Sequence, residues 1–92
     1  MHTWTFLSNH AHVLAAIASA PALRLREIAA QVGLTERAVQ KIIGDLEQAG
    51  FVRRFREGRR NRYEVDADAP LHHPLESHQT VGALVSIASR QA

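Results

Sequence analysis

Residues 34–65 decide the fold of this chain, and they read LTERAVQKIIGDLEQAGFVRRFREGRRNRYEV. The first half predicts an amphipathic helix over about residues 35–49, because apolar residues recur there at helical spacing with charged residues between them. Thr35 is a suitable N-cap, since its hydroxyl can accept a hydrogen bond from an unpaired amide of the first turn. Gly50 supplies the left-handed conformation in which such a helix ends. The recurring apolar residues are Ala38, Val39, Ile42, Ile43 and Leu46.

The second half of the stretch predicts a strongly basic β-hairpin over about residues 51–65. Two β-prone runs, residues 51–55 and 63–65, flank a loop that contains Gly58. Alternation along the second run turns Tyr63 toward the core. Six of the chain's eleven Lys and Arg residues lie in this hairpin: Arg53, Arg54, Arg56, Arg59, Arg60 and Arg62. Repulsion among so many like charges is relieved when a polyanion binds, so a helix beside this hairpin indicates a nucleic-acid-binding surface.

Two more helices are predicted before this stretch. Ser8 or Asn9 can cap the first, which runs to about Ser19. The second covers residues 26–32 and is stopped by a glycine. Only residues 33–35 then separate the second helix from the third, and a short glycine-containing turn between two helices is typical of a helix-turn-helix.

The two ends of the chain carry more apolar residues than a small core needs. Trp4 and Phe6 precede the first helix. A turn-rich connector at residues 66–74 leads to Pro74, which is placed to begin a last helix that runs to about Ser89. The apolar stripe of that helix predicts pairing with a second subunit, and the alternative is that the helix folds back over the first helix of its own chain. The predicted dimer interface comprises Trp4, Phe6, Val81, Leu84, Val85 and Ala88.

The charge distribution indicates one oriented anionic partner. The net charge is +2, but outside residues 51–64 five basic and seven acidic residues leave a balance of −2. A basic patch on a slightly acidic body favours oriented binding over general adhesion to anions. The chain has no cysteine, which excludes disulfides, thiolate metal sites and thiol redox sensing.

The sequence predicts neither export nor insertion into a membrane. No apolar run approaches the ~20 residues of a membrane-spanning helix. The N-terminus lacks a basic segment followed by an apolar core, so no signal peptide is predicted. The expected location is the cytoplasm, which is compatible with the absence of cysteine.

The ordered series of residues from Arg24 to Val65 resembles the DNA-binding domains of bacterial MarR-like and ArsR-like transcriptional regulators. The segments that carry the resemblance are Leu25–Ala29, Val32–Thr35, Ala38–Val39, Leu46–Val52 and Gly58–Tyr63. The resemblance implies a dimeric repressor or activator, with a recognition helix in the major groove and a wing at the neighbouring minor groove. The chain is shorter than a typical MarR-like regulator, and it lacks the cysteine metal-sensing motif of many ArsR-like regulators.

The expected fold is therefore mainly α with a small β-hairpin: a winged helix-turn-helix with a three-helix core, a wing and a C-terminal dimerisation helix. Residues 1–74 form the DNA-binding part with its N-terminal segment, and residues 75–92 form the C-terminal helix of the same single domain. A short alternating strand at residues 23–25 is also expected.

The candidate DNA-binding residues form two groups. Thr35, Glu36, Arg37, Gln40 and Lys41 lie on the first two turns of the recognition helix, and Arg56, Arg59, Arg60 and Arg62 lie in or beside the wing tip. Arginine can donate two bonds to guanine and glutamine can bond adenine, while a helix N-terminus suits a phosphate. The alternatives are an ordinary solvated helix face and an edge ribbon kept soluble by its charge.

Other functions find less support in the residue pattern. The six histidines show no ligand spacing such as an i, i+4 pair, so neither a metal nor another cofactor is expected. The alternative is a zinc site built by histidines that cluster across a dimer, as in some ArsR-like sensors. No catalytic arrangement of residues stands out, so the chain is not expected to be an enzyme.

The rival to a double-stranded DNA-binding regulator is a winged-helix module that binds protein or RNA. A protein-binding module predicts an apolar or acidic recognition face, which Arg37 and Lys41 contradict. The sequence specifies no effector.

Overall fold

Four helices and one two-stranded sheet make up the computed structural model, which describes residues 4–88. In chain order the elements are α1 (Asn9–Ser19), α2 (Leu25–Val32), α3 (Glu36–Gln48), β1 (Val52–Glu57), β2 (Arg60–Val65) and α4 (Val81–Ala88). This order confirms the mainly α winged helix-turn-helix expected from the sequence. Within the described residues, no helix is both long enough and apolar enough to cross a membrane.

The core forms where the inner faces of the helices meet the base of the hairpin. Tyr63 of β2 is buried there, as its alternation predicted. Val39 and Ile43 of α3 are also buried, and because they lie one turn apart, the opposite face of α3 is turned outward. The largest fully buried side chains are Val13, Leu14, Ile17, Ile28, Val39, Ile43 and Val81.

Both predicted ends of α3 are confirmed. The Thr35 hydroxyl accepts a hydrogen bond from the Ala38 N–H at 3.1 Å. At the other end Gly50 has φ 85, a left-handed conformation that a side chain would disfavour. The reversal lets the Phe51 N–H donate to the Leu46 carbonyl at 2.9 Å, which satisfies one free carbonyl of the last turn. The chain therefore leaves α3 directly into the hairpin.

The two strands of the hairpin are longer than the sequence predicted. Antiparallel pairing runs from Val52 with Val65 at the base to Glu57 with Arg60 at the tip. Gly58 has φ 60 and begins a two-residue turn, whose twist matches that of the paired strands. Because so short a turn lets pairing continue to the tip, residues that were expected in a loop belong to the strands.

The predicted strand at residues 23–25 is wrong. Arg24 is extended, with φ −77 and ψ 155, but it is the N-cap of α2, and Leu25 already belongs to that helix. The Glu27 carboxylate accepts a hydrogen bond from the Arg24 N–H at 2.9 Å. This bond satisfies the amide locally, so α2 begins one residue earlier than the sequence predicted.

The last helix begins later than predicted. Pro74 does not open it, because residues 74–78 form turns. Thr80 pairs with Pro70 in an isolated antiparallel bridge. The Thr80 hydroxyl then accepts a hydrogen bond from the Ala83 N–H at 3.3 Å. This threonine therefore caps α4, a role that the prolines before it obscured in the sequence.

α4 packs against α1 of its own chain. Val81 is fully buried, and Leu84 and Val85 are half-buried against the core. Ile87 points outward and is 75% exposed. The predicted end of this helix at Ser89 lies outside the described residues. The helix thus divides its apolar residues between its own core and an exposed surface.

Candidate nucleic-acid interface

The outward face of α3 is a continuous exposed stripe. Arg37, Gln40, Lys41, Gly44 and Gln48 are all exposed and follow one another at spacings that place them on one face. The first three of these residues were predicted from the sequence as DNA-binding residues. The other two were not, although helical spacing counted from Arg37 could have found both.

The start of α3 adds two predicted residues to this surface. Thr35 and Glu36 are both exposed. The Thr35 oxygen already accepts the Ala38 N–H, but the hydroxyl retains its hydrogen as a donor. Glu36 supplies only acceptor atoms when it is ionised. Together these residues give the first turn of α3 both kinds of hydrogen-bonding group.

The fold does not require a glycine at position 44. A Cβ built at Gly44 would have no heavy atom within 4 Å, leaving aside neighbouring residues and the helix's own backbone. Glycine within a helix costs about 1 kcal/mol relative to alanine. The absent side chain leaves a flat place in the middle of the exposed stripe, where a partner can approach the backbone of α3 closely.

One flank of the stripe carries a charged network that joins α3 to α1. The Asp45 carboxylate bonds the Nε2 of His10 at 2.8 Å and lies 3.6 Å from the Nζ of Lys41. The hydrogen bond to His10, assisted by the charge of Lys41, lowers the pKa of the Asp45 carboxyl. Lys41 is therefore positioned beside a carboxylate that remains ionised near neutral pH.

An arginine–glutamate pair fastens the wing to α3. Arg54 donates from Nε and one terminal nitrogen to the two Glu47 carboxylate oxygens, at 3.1 and 2.5 Å. This bonding raises the pKa of the Arg54 guanidinium, with Glu47 as its principal cause. A bidentate pair also restricts geometry. Arg54 thus fixes the hairpin relative to α3.

The four predicted wing arginines differ in their contacts. Arg59 lies in the turn and makes no side-chain hydrogen bond or ion pair with the described residues. The other three each use part of the guanidinium group. Arg56 donates to the Gly58 carbonyl at 3.0 Å, Arg60 donates to the Ala22 carbonyl at 2.7 Å, and Arg62 lies 3.8 Å from a Glu57 oxygen. Since arginine has five N–H donors, all four can still bind an anion.

The outward side of β1 carries a further pair that the sequence did not single out. The Arg53 guanidinium lies 5.3 Å from the centre of the Phe55 ring, and the aromatic residue is partly exposed. Glu64 pairs with Arg53 across the hairpin. The base of the wing is thus closer to charge balance than its tip.

Three of the described histidines contact groups of the chain itself. His10 bonds Asp45, the ring of His72 packs on Phe51 with centres 4.7 Å apart, and His73 accepts the Leu75 N–H. Across residues 4–88, no three His, Asp or Glu side chains gather in an arrangement that could hold a metal ion.

Comparison with known proteins gives a consistent result. A family model described as the MarR family matches residues 5–61, which is more than half of the chain. The fold is similar to that of the PcaV transcriptional regulator from Streptomyces coelicolor, solved in complex with its natural ligand, with a TM-score of 0.59 and 22% identity. The alignment covers 89% of this chain and 57% of that regulator, so this chain spans just over half the regulator's length. No curated protein matches the sequence.

Proposed function

Since this chain belongs to the MarR family and has a winged-helix fold, we propose that it is a transcriptional regulator that binds double-stranded DNA sequence-specifically as a homodimer. In this proposal α3 enters the major groove and the wing holds the phosphates beside the minor groove. The observation that carries the proposal is the exposed stripe of α3, which presents donors for base edges on the face opposite the core.

The exposed residues of α3 and its N-cap divide into those suited to contact bases and those suited to contact phosphates. Arg37 and Gln40 have the chemistry to read guanine and adenine in the major groove. Lys41 and Thr35 suit neighbouring phosphates, because one carries a positive charge and the other lies at a helix N-terminus. Glu36 can accept a bond from the amino group of cytosine.

The wing contributes affinity in this proposal. Arg56, Arg59, Arg60 and Arg62 lie in or beside its tip, where they can neutralise phosphates of either strand. The bidentate bond between Arg54 and Glu47 supports the assignment, since it couples the wing to the helix that reads the bases.

The proposed dimer uses apolar residues at both ends of the chain. Trp4 and Phe6 pack edge to face, with ring centres 4.8 Å apart, yet remain 64% and 93% exposed. Ile87 of α4 is similarly open. Leu84, Val85 and Ala88 flank it with partial exposure, while Val81 supports the helix from within the core. Exposed apolar residues of this kind favour pairing, and the packing of α4 on α1 supports the inclusion of α4 in one domain with the described residues 4–74.

The decisive experiment is selection of bound sites from a random duplex library, followed by mobility shift at several salt concentrations. We expect an imperfect palindrome with half-sites about one helical turn apart, because two-fold symmetry of the protein imposes two-fold symmetry on its site. Failure to bind any duplex in low salt, or a preference for single-stranded RNA, contradicts the proposed function.

Replacement of Arg37 or Gln40 by Ala is expected to reduce operator preference more than binding to random DNA. A good bidentate contact contributes roughly 1–3 kcal/mol of discrimination, which corresponds to about 5- to 150-fold. The ratio of operator to random-duplex affinity measures the effect. Gln31→Ala is the control, since Gln31 is exposed on α2 outside the stripe. Equal losses on both duplexes would mean that the two residues only position the helix.

Gly44→Ala is expected to change stability and DNA binding in opposite directions. The added methyl group meets open space, and alanine favours a helix, so the free energy of unfolding should rise by about 0.5–1 kcal/mol. The same methyl group should obstruct the groove and weaken operator binding by about tenfold, the equivalent of a 1.4 kcal/mol penalty. Thermal unfolding and mobility shift test the two effects separately. Unchanged operator affinity would place Gly44 outside the contact.

A further inference from the structure

A cleft of about 370 Å³ lies where the loop before α2, the start of α3 and the wing tip meet. Arg24 and Arg26 line it from one side, and Arg59 and Arg60 line it from the wing. Glu36 also borders the cleft. Neither Arg24 nor Arg26 is among the DNA-binding residues predicted from the sequence.

Hydrogen bonds between the wing and the turn after α1 hold the cleft in shape. Arg60 donates to the Ala22 carbonyl at 2.7 Å. The Tyr63 N–H donates to the Pro21 carbonyl at 3.2 Å. These two bonds fix the spacing between the wing arginines and the arginines of the α2 side. The cleft is thus a product of the tertiary fold.

The charge in the cleft is not balanced by the chain itself. Within the described residues, the side chains of Arg24, Arg26 and Arg59 form no ion pair or hydrogen bond. Four guanidinium groups against one carboxylate, that of Glu36, leave three net positive charges around the cleft. Such a concentration of positive charge attracts an anion whose oxygens can accept several N–H bonds at once.

We infer that this cleft holds a phosphate of the DNA backbone, with Arg24 and Arg26 as additional phosphate-binding residues. The inference rests on the proposed function. Glu36 borders the cleft and also begins α3, so a phosphate held here belongs to the strand segment beside the bases that face Arg37. Phosphate contacts of this kind fix the register of a recognition helix on the duplex.

The test compares Arg24→Gln, Arg26→Gln and the double variant with the unmodified protein on one selected duplex between 50 and 200 mM salt. Each lost contact should reduce the logarithmic salt slope by about one and weaken binding by about tenfold at 0.1 M salt. Arg53→Gln is the matched control, because it removes the same charge from the base of the wing, outside the cleft. Equal melting temperatures establish that each variant is folded.

The outcomes separate this inference from the proposed function. If the unmodified protein binds no duplex, the proposed function is contradicted, and the cleft assignment is contradicted with it. If it binds and the double variant keeps its slope, or loses no more than Arg53→Gln, only the cleft assignment is overturned. Duplexes with single uncharged methylphosphonate linkages provide the second measurement. At one linkage, neutralisation should weaken the unmodified protein but not the double variant. Equal losses for both proteins at every linkage would overturn the inference.

Discussion

A variant with Phe6→Asp and Ile87→Asp is expected to be a folded monomer that binds its operator roughly a hundredfold or more weakly than the unmodified protein. Both side chains are open to solvent, at 93% and 75%, so the changes should leave the core of the chain intact. They place charge within the proposed dimer surface, where burial without a partner is costly. A monomer retains half of the contacts that give specific regulators dissociation constants of about 10⁻⁸–10⁻¹¹ M.

Light scattering and mobility shift measure the two parts of this expectation. The mass of the unmodified protein should be twice the 10.2 kDa mass of one chain, and the mass of the variant should equal that of one chain. Ser77→Asp is the control, since it adds charge at an exposed turn that is outside the proposed surface. A monomeric unmodified protein at tens of micromolar would end the dimer proposal. A dimeric variant would instead locate the interface elsewhere.

The second large effect is expected at the wing tip. Arg59→Ala with Arg60→Ala should weaken binding to every duplex alike, by about two orders of magnitude at 0.1 M salt. The reason is that binding releases fewer counterions from the DNA when two phosphate contacts are lost. The logarithmic salt slope should fall by about two for the pair. Part of the loss from Arg60 also reflects its bond to the Ala22 carbonyl, which positions the wing.

The double change of Arg59 and Arg60 to Lys is the matched control because it keeps both charges. Its salt slope should remain close to that of the unmodified protein. A third variant, Arg54→Ala, breaks the bond to Glu47 but leaves the tip charges in place. Unchanged affinity after loss of both tip arginines would remove the wing from the interface. A loss confined to the operator would make it a base-reading element instead.

The sequence by itself determined the helix α3 and both of its ends. The cap at Thr35, the left-handed Gly50 and the apolar spacing of α3 depend on residues within a few positions of one another. Local interactions of this kind can be read directly from residue order. The exposed positions of Arg37, Gln40 and Lys41 follow in the same way, because burial of one helix face fixes the other.

The tertiary structure alone decided features that depend on residues distant in the chain. Thr80 caps α4 after a bridge with Pro70, so the proline at position 74 was a misleading signal for the helix start. Arg60 meets the carbonyl of Ala22, thirty-eight residues away, and that contact brings two sets of arginines around one cleft. Composition shows that these charges exist, but their convergence requires the packed fold. Residue order specifies local hydrogen bonding, whereas the meeting of distant side chains depends on how the whole core closes.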